Sequence, residues 1–489
     1  MAVSNAQKQT VSCPIVDTGQ ERCYNNSREI AYPKPDEAFY GQDAQYVENL
    51  PAYQDNADGT VSDLNTGLMW SKTVDKTKVS LIEAKKIAKS MTLGGYTDWR
   101  VPNIKELYSL INFSGYTGFS QTGTNSSAPK NALPFINTTY FNFKYGDVNS
   151  GERYIDAQWL SSTKYVSTTM NREKTLFGVN FADGRIKGYG YEKNSKKGEK
   201  KFYARYVRGN AYGKNDFVDN GDGTISDRAT GLMWLKNDNK KAMSWQEALK
   251  YAENLVYAGY NDWRLPNAKE LQYIVDYSRS PDTTSSPAIN SIFKTTAIIN
   301  EDGKKDYPYF WTSTTHLDGP NPGKNAVYIS FGRALGKMRS RIMDVHGAGA
   351  QRSDPKTGKP EWHGPQGDAR RVDNYVRCVR GGMAKLKAKG PKVQEMTRMS
   401  STQRPPRQQE RGELKGGERK HGEMSSQNFS RHFIERLDKN GDNKISKSEF
   451  DGPRKHFSHL DRNNDGYIDP GETPKRPPLQ GRRPKPGGF

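Results

Sequence analysis

The chain has 489 residues, 33% of them hydrophobic, and a formal charge of +20; that length corresponds to about three domains, and the thin apolar content implies much solvated chain besides. No stretch approaches the roughly 18 apolar residues of a membrane span, and three cysteines in so long a chain exclude both a disulfide scaffold and a cysteine zinc site. Much of the excess charge is confined to residues 383–430, with 11 Lys/Arg against 5 Glu, and 473–489, with 5 against none, so attraction to polyanions is expected while sequence-specific nucleic-acid recognition is not.

Residues 1–44 read as an N-terminal extension. The opening Met1-Ala-Val-Ser-Asn-Ala lacks an apolar leader core, which fits either a cytosolic protein or a mature chain whose leader has been removed, and the second is favoured. Cys13 and Cys23 are close enough to close one small loop, and two free thiols account for them equally well.

An internal duplication follows. Asp55-Asn-Ala-Asp58-Gly59-Thr-Val-Ser-Asp63-Leu-Asn-Thr66-Gly67-Leu-Met-Trp70 recurs 164 residues later, from Asp219 to Trp234. Gly95-Tyr96-Thr-Asp98-Trp99-Arg100-Val-Pro102-Asn103 recurs at the same offset, from Gly259 to Asn267. Each copy begins with a hairpin turned on Asp58-Gly59 or Asp222-Gly223. Ser80 with Glu83, and Ser244 with Glu247, have capping-box spacing ahead of an amphipathic helix. Asn103 with Glu106, and Asn267 with Glu270, open a second one. Strands fill the rest: Trp159-Leu-Ser161-Ser162-Thr163 answers Trp311-Thr-Ser313-Thr314-Thr315, and Tyr203 to Gly209 answers Tyr375 to Gly381. Arg100 and Arg264 suit internal ion pairs to Glu106 and Glu270. Trp70, Trp234, Trp99, Trp263 and Cys378 suit the core. The stretch 341–372, peculiar to copy two, gathers Asp344, His346, Asp354, Glu361, Trp362, His363 and Asp368 among glycines and prolines, and reads as a long irregular loop that could form a binding surface or merely decorate one.

These motifs, in this order and twice over, resemble the Lcl C-terminal-like domain family, named for the distal domain of a collagen-like bacterial adhesin. The resemblance implies an α+β fold, two tandem C-type-lectin-like domains each with two helices on a twisted antiparallel sheet, here 45–210 and 211–382. It also implies a secreted or cell-surface bacterial protein, with a polyanionic glycan or extracellular-matrix ligand as partner. Neither copy has the calcium-sugar motifs of true C-type lectins, and there is no collagen-like tract.

Residues 383–428, rich in Pro, Gln, Gly and charge, read as a disordered basic linker, and 474–489 as a basic Pro-rich tail. Between them, residues 429–473 hold two twelve-residue loops. Asp438, Asn440, Asp442, Lys444, Ser446 and Glu449 occupy positions 1, 3, 5, 7, 9 and 12 of the first, and Asp461, Asn463, Asp465, Tyr467, Asp469 and Glu472 those of the second. A hard cation takes six to eight oxygens, and this spacing supplies them, with Lys444 and Tyr467 contributing only their carbonyls: the pattern is an EF-hand pair for Ca²⁺. Gly466 holds the sharp sixth position of loop two where loop one has Asn443, so site one is expected to bind more weakly. Ile445 and Ile468 at position 8 are expected to pair over a small core, a small α-helical unit resembling the compact EF-hand pairs of bacterial secreted proteins.

The sequence therefore suggests a calcium-binding, adhesin-like protein. A calcium-dependent matrix or filament component without a discrete ligand is the alternative. An enzyme akin to formylglycine-generating oxidases, whose fold resembles that of the repeats, is the third reading; it is not favoured, because the repeat cores hold only Cys378 where such enzymes use a cysteine pair, and no catalytic constellation recurs in both copies.

Overall fold

The computed structural model describes residues 11–393, apart from 75–76, 120–124, 171, 193–198, 383 and 388. Toward the C terminus it describes 437–472, apart from 439, 441, 451–456, 459 and 470–471. The chain divides into two compact units, Met1–Thr397 and Arg398–Phe489.

In the first unit all four predicted capping boxes form. Helix α1 (Leu81–Ser90) is closed by Ser80 and Glu83, α2 (Ile104–Ser109) by Asn103 and Glu106, α3 (Trp245–Glu253) by Ser244 and Glu247, and α4 (Ala268–Tyr273) by Asn267 and Glu270. In each, the cap side chain accepts the N3 amide while the N3 glutamate accepts the cap amide, satisfying donors a helix start leaves open. The remaining architecture is mostly β-sheet. Asp58 and Asp222 each fold their hairpin by accepting the main-chain N–H and hydroxyl of Thr60 or Thr224. Gly59 and Gly223 beside them take φ of +89° and +87°, a left-handed geometry that favours glycine. Each copy's hairpin is extended by its own terminal strand, Val207–Arg208 on Met69–Ser71 and Val379–Gly381 on Leu232–Leu235.

The second halves of the copies do not form separate sheets. Strands Gln158–Thr169, Glu173–Asn180 and Arg185–Gly190 of copy one join Gln351–Pro355, Asn325–Ser330 and Tyr309–His316 of copy two in one six-stranded antiparallel sheet, through the pair Ile186 and Gln351. At this seam the Gly188 N–H donates to the His346 carbonyl at 2.7 Å. A Cβ on Gly188 would lie 2.6 Å from that oxygen, so no side chain fits there.

Helices α2 and α4 make the second join. Lys105 Nζ donates to the Tyr273 carbonyl that ends α4, at 2.5 Å, and Lys269 Nζ donates to the Ser109 carbonyl that ends α2, at 2.9 Å. Lys269 is Lys105 shifted by the repeat length, and Tyr273 is Ser109 shifted likewise, so the copies are related by an approximate two-fold. A cation at a helix C-terminus also suits the helix dipole. Burial lowers both lysines to about 8.

Four sequence expectations need correction. The strand match by identical letters is one residue out of register. Leu160 and Trp311 both donate their N–H to the opening tyrosine of the terminal segment, Tyr203 or Tyr375, so Trp159 corresponds to Phe310 and Leu160 to Trp311. Trp159 and Phe310 share the central core, whereas Leu160 and Trp311 lie in the separate core of each copy; the cores accept a Trp and a smaller apolar side chain in exchanged places.

The stretch 341–372 is not irregular. Arg341–Asp344, Gln351–Pro355, Glu361–His363 and Asp368–Arg370 are strands. Gln351–Pro355 takes the place beside Asn325–Ser330 that Arg185–Gly190 takes beside Glu173–Asn180 in copy one. The residues singled out there serve internal partners. Asp344 accepts from the Tyr165 hydroxyl at 2.9 Å, Asp368 holds His346 at 2.8 Å and pairs with Arg352, and Asp354 accepts from Asn374 and the Arg371 N–H. Glu361 pairs with Arg370 at the surface.

Residues 11–44 are not an appendage: Gln20 bonds both Phe113 of copy one and Thr315 of copy two. Nor does order end at 382, since Lys385–Leu386 pairs with Tyr46–Val47 and the Lys387 N–H donates to the Gln45 carbonyl. The rest of the expected linker, and the tail 474–489, lie outside the described residues.

Trp70, Trp99, Trp234, Trp263 and Cys378 are buried, as expected of core residues, and Cys13 and Cys23 are both buried free thiols. Arg264 forms the anticipated fork with Glu270, 2.5 and 2.6 Å, and also reaches Glu48 at 3.0 Å. Arg100 repeats the fork to Glu106 at 2.6 and 2.7 Å, but its side chain is 35% exposed against 5% for Arg264.

Asp344 gives this unit a pH dependence. Burial raises its carboxyl from 3.8 to about 7, against the opposing hydrogen bonds of Gly347 and Tyr165. Its folded value exceeds its unfolded one, so its contribution is fully present below about pH 4 and is lost as pH rises through 7. Asp344→Asn should therefore gain on the parent protein by about 2–4 kcal/mol between pH 4 and 8. Chemical denaturation at both pH values checks this, and parallel pH profiles for the two proteins would contradict it.

Candidate calcium site

The second unit is organised by the loops themselves. Ile445–Ser446 and Tyr467–Ile468 pair antiparallel, setting Ile445 opposite Ile468, as their shared position 8 predicts. Both isoleucines are buried with Leu437 and Phe457, and Phe450 and Leu460 pack against them. Phe450 meets Phe457 edge-on at 5.5 Å. Phe433 and Ile434, which the sequence also places beside this core, lie outside the described residues.

Within each loop the main chain is drawn onto the first carboxylate. Asp438 Oδ2 accepts the Asn443 N–H at 2.8 Å, and Asp461 Oδ2 accepts the Gly466 N–H at 3.1 Å, position 6 onto position 1 in both. Positions 3 and 5 match as well, with the Asp442 and Asp465 amides donating to Asn440 and Asn463 at 2.9 Å. The last glutamate folds back over the loop. Glu449 Oε2 accepts from the Ser446 N–H and hydroxyl, and Glu472 accepts from the amides of Arg462, Asn463 and Asp469. Burial works to raise the Glu472 carboxyl, but these three amides outweigh it and hold the group below the usual range. Lys444 and Tyr467 are exposed, leaving their carbonyls as the loop contribution.

The sixth-position contrast is present but narrower than the sequence implied. Gly466 takes φ +89° and Asn443 takes +61°, yet loop two has its own left-handed asparagine, Asn464, at +58°.

The donor set fits a hard cation. Each loop offers carboxylate, amide or hydroxyl and carbonyl oxygens, with no sulfur or imidazole, the chemistry suited to Ca²⁺. Asp461 is only 4% exposed, and its Oδ1 is buried without a hydrogen-bond partner among the described residues, a cost that an ion at the loop centre would relieve. Among the described residues no three acidic, imidazole or thiol groups converge as a ligand cluster; the loop carboxylates accept from main-chain amides. Asp438, Asn440, Asp442, Lys444, Ser446 and Glu449 would hold one ion, and Asp461, Asn463, Asp465, Tyr467, Asp469 and Glu472 the other. A bound ion would supply the positive charge that lets these acidic groups pack together.

Comparison with known families agrees with this geometry. The model of the Lcl C-terminal domain matches residues 59–208 and again 223–346, together more than half of the chain. The chain belongs to the Lcl C-terminal domain family. The second Lcl match ends at residue 346, ahead of Gln351–Pro355 and the terminal strand Val379–Gly381, and is the shorter of the two. The EF-hand model matches residues 431–451 and 455–473, a calcium-binding kind of module. Both are non-enzymatic kinds of domain. No curated protein and no solved structure matches the chain. Among the described residues no helix is long and apolar enough to cross a membrane.

Proposed function

We propose that this is a calcium-binding adhesin-like protein, secreted or held at the cell surface, whose paired Lcl domains adopt a C-type-lectin-like arrangement and engage a polyanionic glycan. The observation that carries the calcium assignment is the pair of matched loops joined at Ile445 and Ile468, with a buried Asp461 oxygen that has no hydrogen-bond partner among the described residues. The adhesive part rests on family membership and is supported by a surface feature present in both copies. The Arg208 guanidinium lies 3.6 Å from the centre of the Tyr96 ring, and Arg380 lies 3.6 Å from that of Tyr260. Both tyrosines are exposed, and Asp98 and Asp262 hold the arginines in place. A flat ring backed by a guanidinium offers a sugar both a stacking face and a hydrogen-bond donor for sulfate or carboxylate.

The test is retention of the full chain on immobilised heparin under a salt gradient, with calcium and with chelator. Retention at low salt is expected, with earlier elution when Arg208→Ala and Arg380→Ala are combined. Passage through the column unretained in both conditions would remove the glycan reading.

A further inference from the structure

The approximate two-fold between the copies does not extend to what occupies the two grooves between them. On the Lys269 side, residues 17–20 of the N-terminal segment lie in the groove between the copies. Lys269 Nζ donates to the Asp17 carbonyl at 2.8 Å, and the Phe113 N–H donates to the Thr18 carbonyl at 2.7 Å. Gln20 Nε2 donates to the carbonyls of Phe113 and Thr315 at 3.3 and 2.7 Å, and its Oε1 accepts the Thr315 N–H at 2.9 Å. Gly19, with φ +75°, passes so close to Asn112 that a Cβ would lie 2.6 Å from its Oδ1.

The mate of this groove lies on the Lys105 side, where Lys105 Nζ donates to the Gly213 carbonyl at 3.2 Å and to Asn215 Oδ1 at 3.1 Å in place of a segment like Asp17, and beyond these contacts it is open. It is a cavity of about 490 Å³ whose lining includes Lys105, Thr163, Gly213, Asp276, Tyr277 and Asn290. Tyr277 is Phe113 shifted by the repeat length, and Asp276 is Asn112. The walls superpose in detail: Asn112 Oδ1 accepts the Ser114 N–H at 2.9 Å and Asp276 Oδ1 the Ser278 N–H at 3.0 Å. Yet the Tyr277 N–H and C=O, the counterparts of the Phe113 groups that hold Thr18 and Gln20, have no hydrogen-bond partner among the described residues.

We propose that this cavity binds an extended segment of another polypeptide, with a ligand carbonyl on the Tyr277 N–H, a side-chain donor on the Tyr277 carbonyl and a glycine passing Asp276. The filled groove shows the chemistry the walls accept: main-chain pairing flanked by a short polar residue and an amide, as in Asp17-Thr18-Gly19-Gln20. Main-chain bonds supply attachment and the tight wall supplies selection for glycine.

The probe is a blocked synthetic peptide with the sequence of residues 14–21, titrated into the full chain by fluorescence anisotropy, with amide hydrogen exchange read over both grooves. Saturable one-to-one binding, slower exchange over 276–278, and at least a tenfold loss with the Gly19→Ala peptide are expected. Asn290→Trp, at an exposed position in the cavity lining, should weaken binding at least tenfold while the variant keeps a cooperative thermal transition. Absence of binding would overturn the proposal. So would exchange changes confined to 112–114, which would mean that the peptide replaces the chain's own N-terminal segment, and so would binding indifferent to Asn290→Trp.

Discussion

Arg264→Ala is expected to destabilise the repeat unit by about 3–5 kcal/mol, the range for breaking a buried ion pair and leaving its partner charged and unpaired. Two carboxylates depend on this guanidinium. Burial and the neighbouring Glu270 push Glu48 up, while Arg264, with a hydrogen bond from Glu48, holds the equally buried Glu270 down. The two acids titrate as a unit around one cation, and without it the second charge has no compensation. Arg100→Ala provides the internal comparison. It removes the same fork from Glu106, which is also buried, but Arg100 itself is partly exposed and holds no second carboxylate, so the expected loss is smaller, about 1–2 kcal/mol. Denaturant unfolding of both variants checks the contrast, and equal losses would show that burial does not set the cost here.

The second large effect belongs to the calcium loops. Glu472→Gln should weaken the site of loop two on the order of a hundredfold, about 2.7 kcal/mol, because the neutral amide removes a charge and a bidentate grip that a hard cation needs. Glu449→Gln should act likewise on loop one only. Calorimetric titration of the chelator-treated chain is expected to show two sites in the parent protein and the loss of one in each variant. Loop two is expected to bind more tightly, since Asp461 is the more buried first ligand and one of its oxygens has no hydrogen-bond partner among the described residues. A parent protein that gives no heat and no change in thermal stability with calcium would contradict both expectations.

What the sequence made legible was local. Capping boxes depend on residues three apart, and the calcium loops on twelve consecutive positions, so Ser80 with Glu83 and Asp461 with Glu472 could be read directly. The forks of Arg100 and Arg264 were equally accessible, because each partner is six residues away and the copies agree. Long-range pairing left less trace. Trp159 and Trp311 looked equivalent by type, but the terminal strands set a register in which Phe310 is the true counterpart. The segment 11–44 has no periodicity of its own, since its side chains answer to acceptors on two distant copies. Within 341–372, glycines and prolines mask short strands, of which Arg341–Asp344 and Gln351–Pro355 pair outside the stretch and Glu361–His363 pairs with Asp368–Arg370 inside it. The Lys105 and Lys269 exchange was missed although its signal was present: a lysine repeated at the same offset at the second position of two short helices.

The seam between Ile186 and Gln351 also bears on the order of folding during synthesis. Copy one cannot complete its sheet neighbours until the chain has been made as far as residue 351, and Gln20 waits for Thr315, 295 residues further on. Lys356 reaches back 331 residues to the Asn25 carbonyl. Contacts of such span are slow to close, because the entropy of the intervening loop is lost before the pairing compensates it. The emerging chain would therefore keep its first copy incomplete, with sheet edges open, until nearly the whole repeat region had been released.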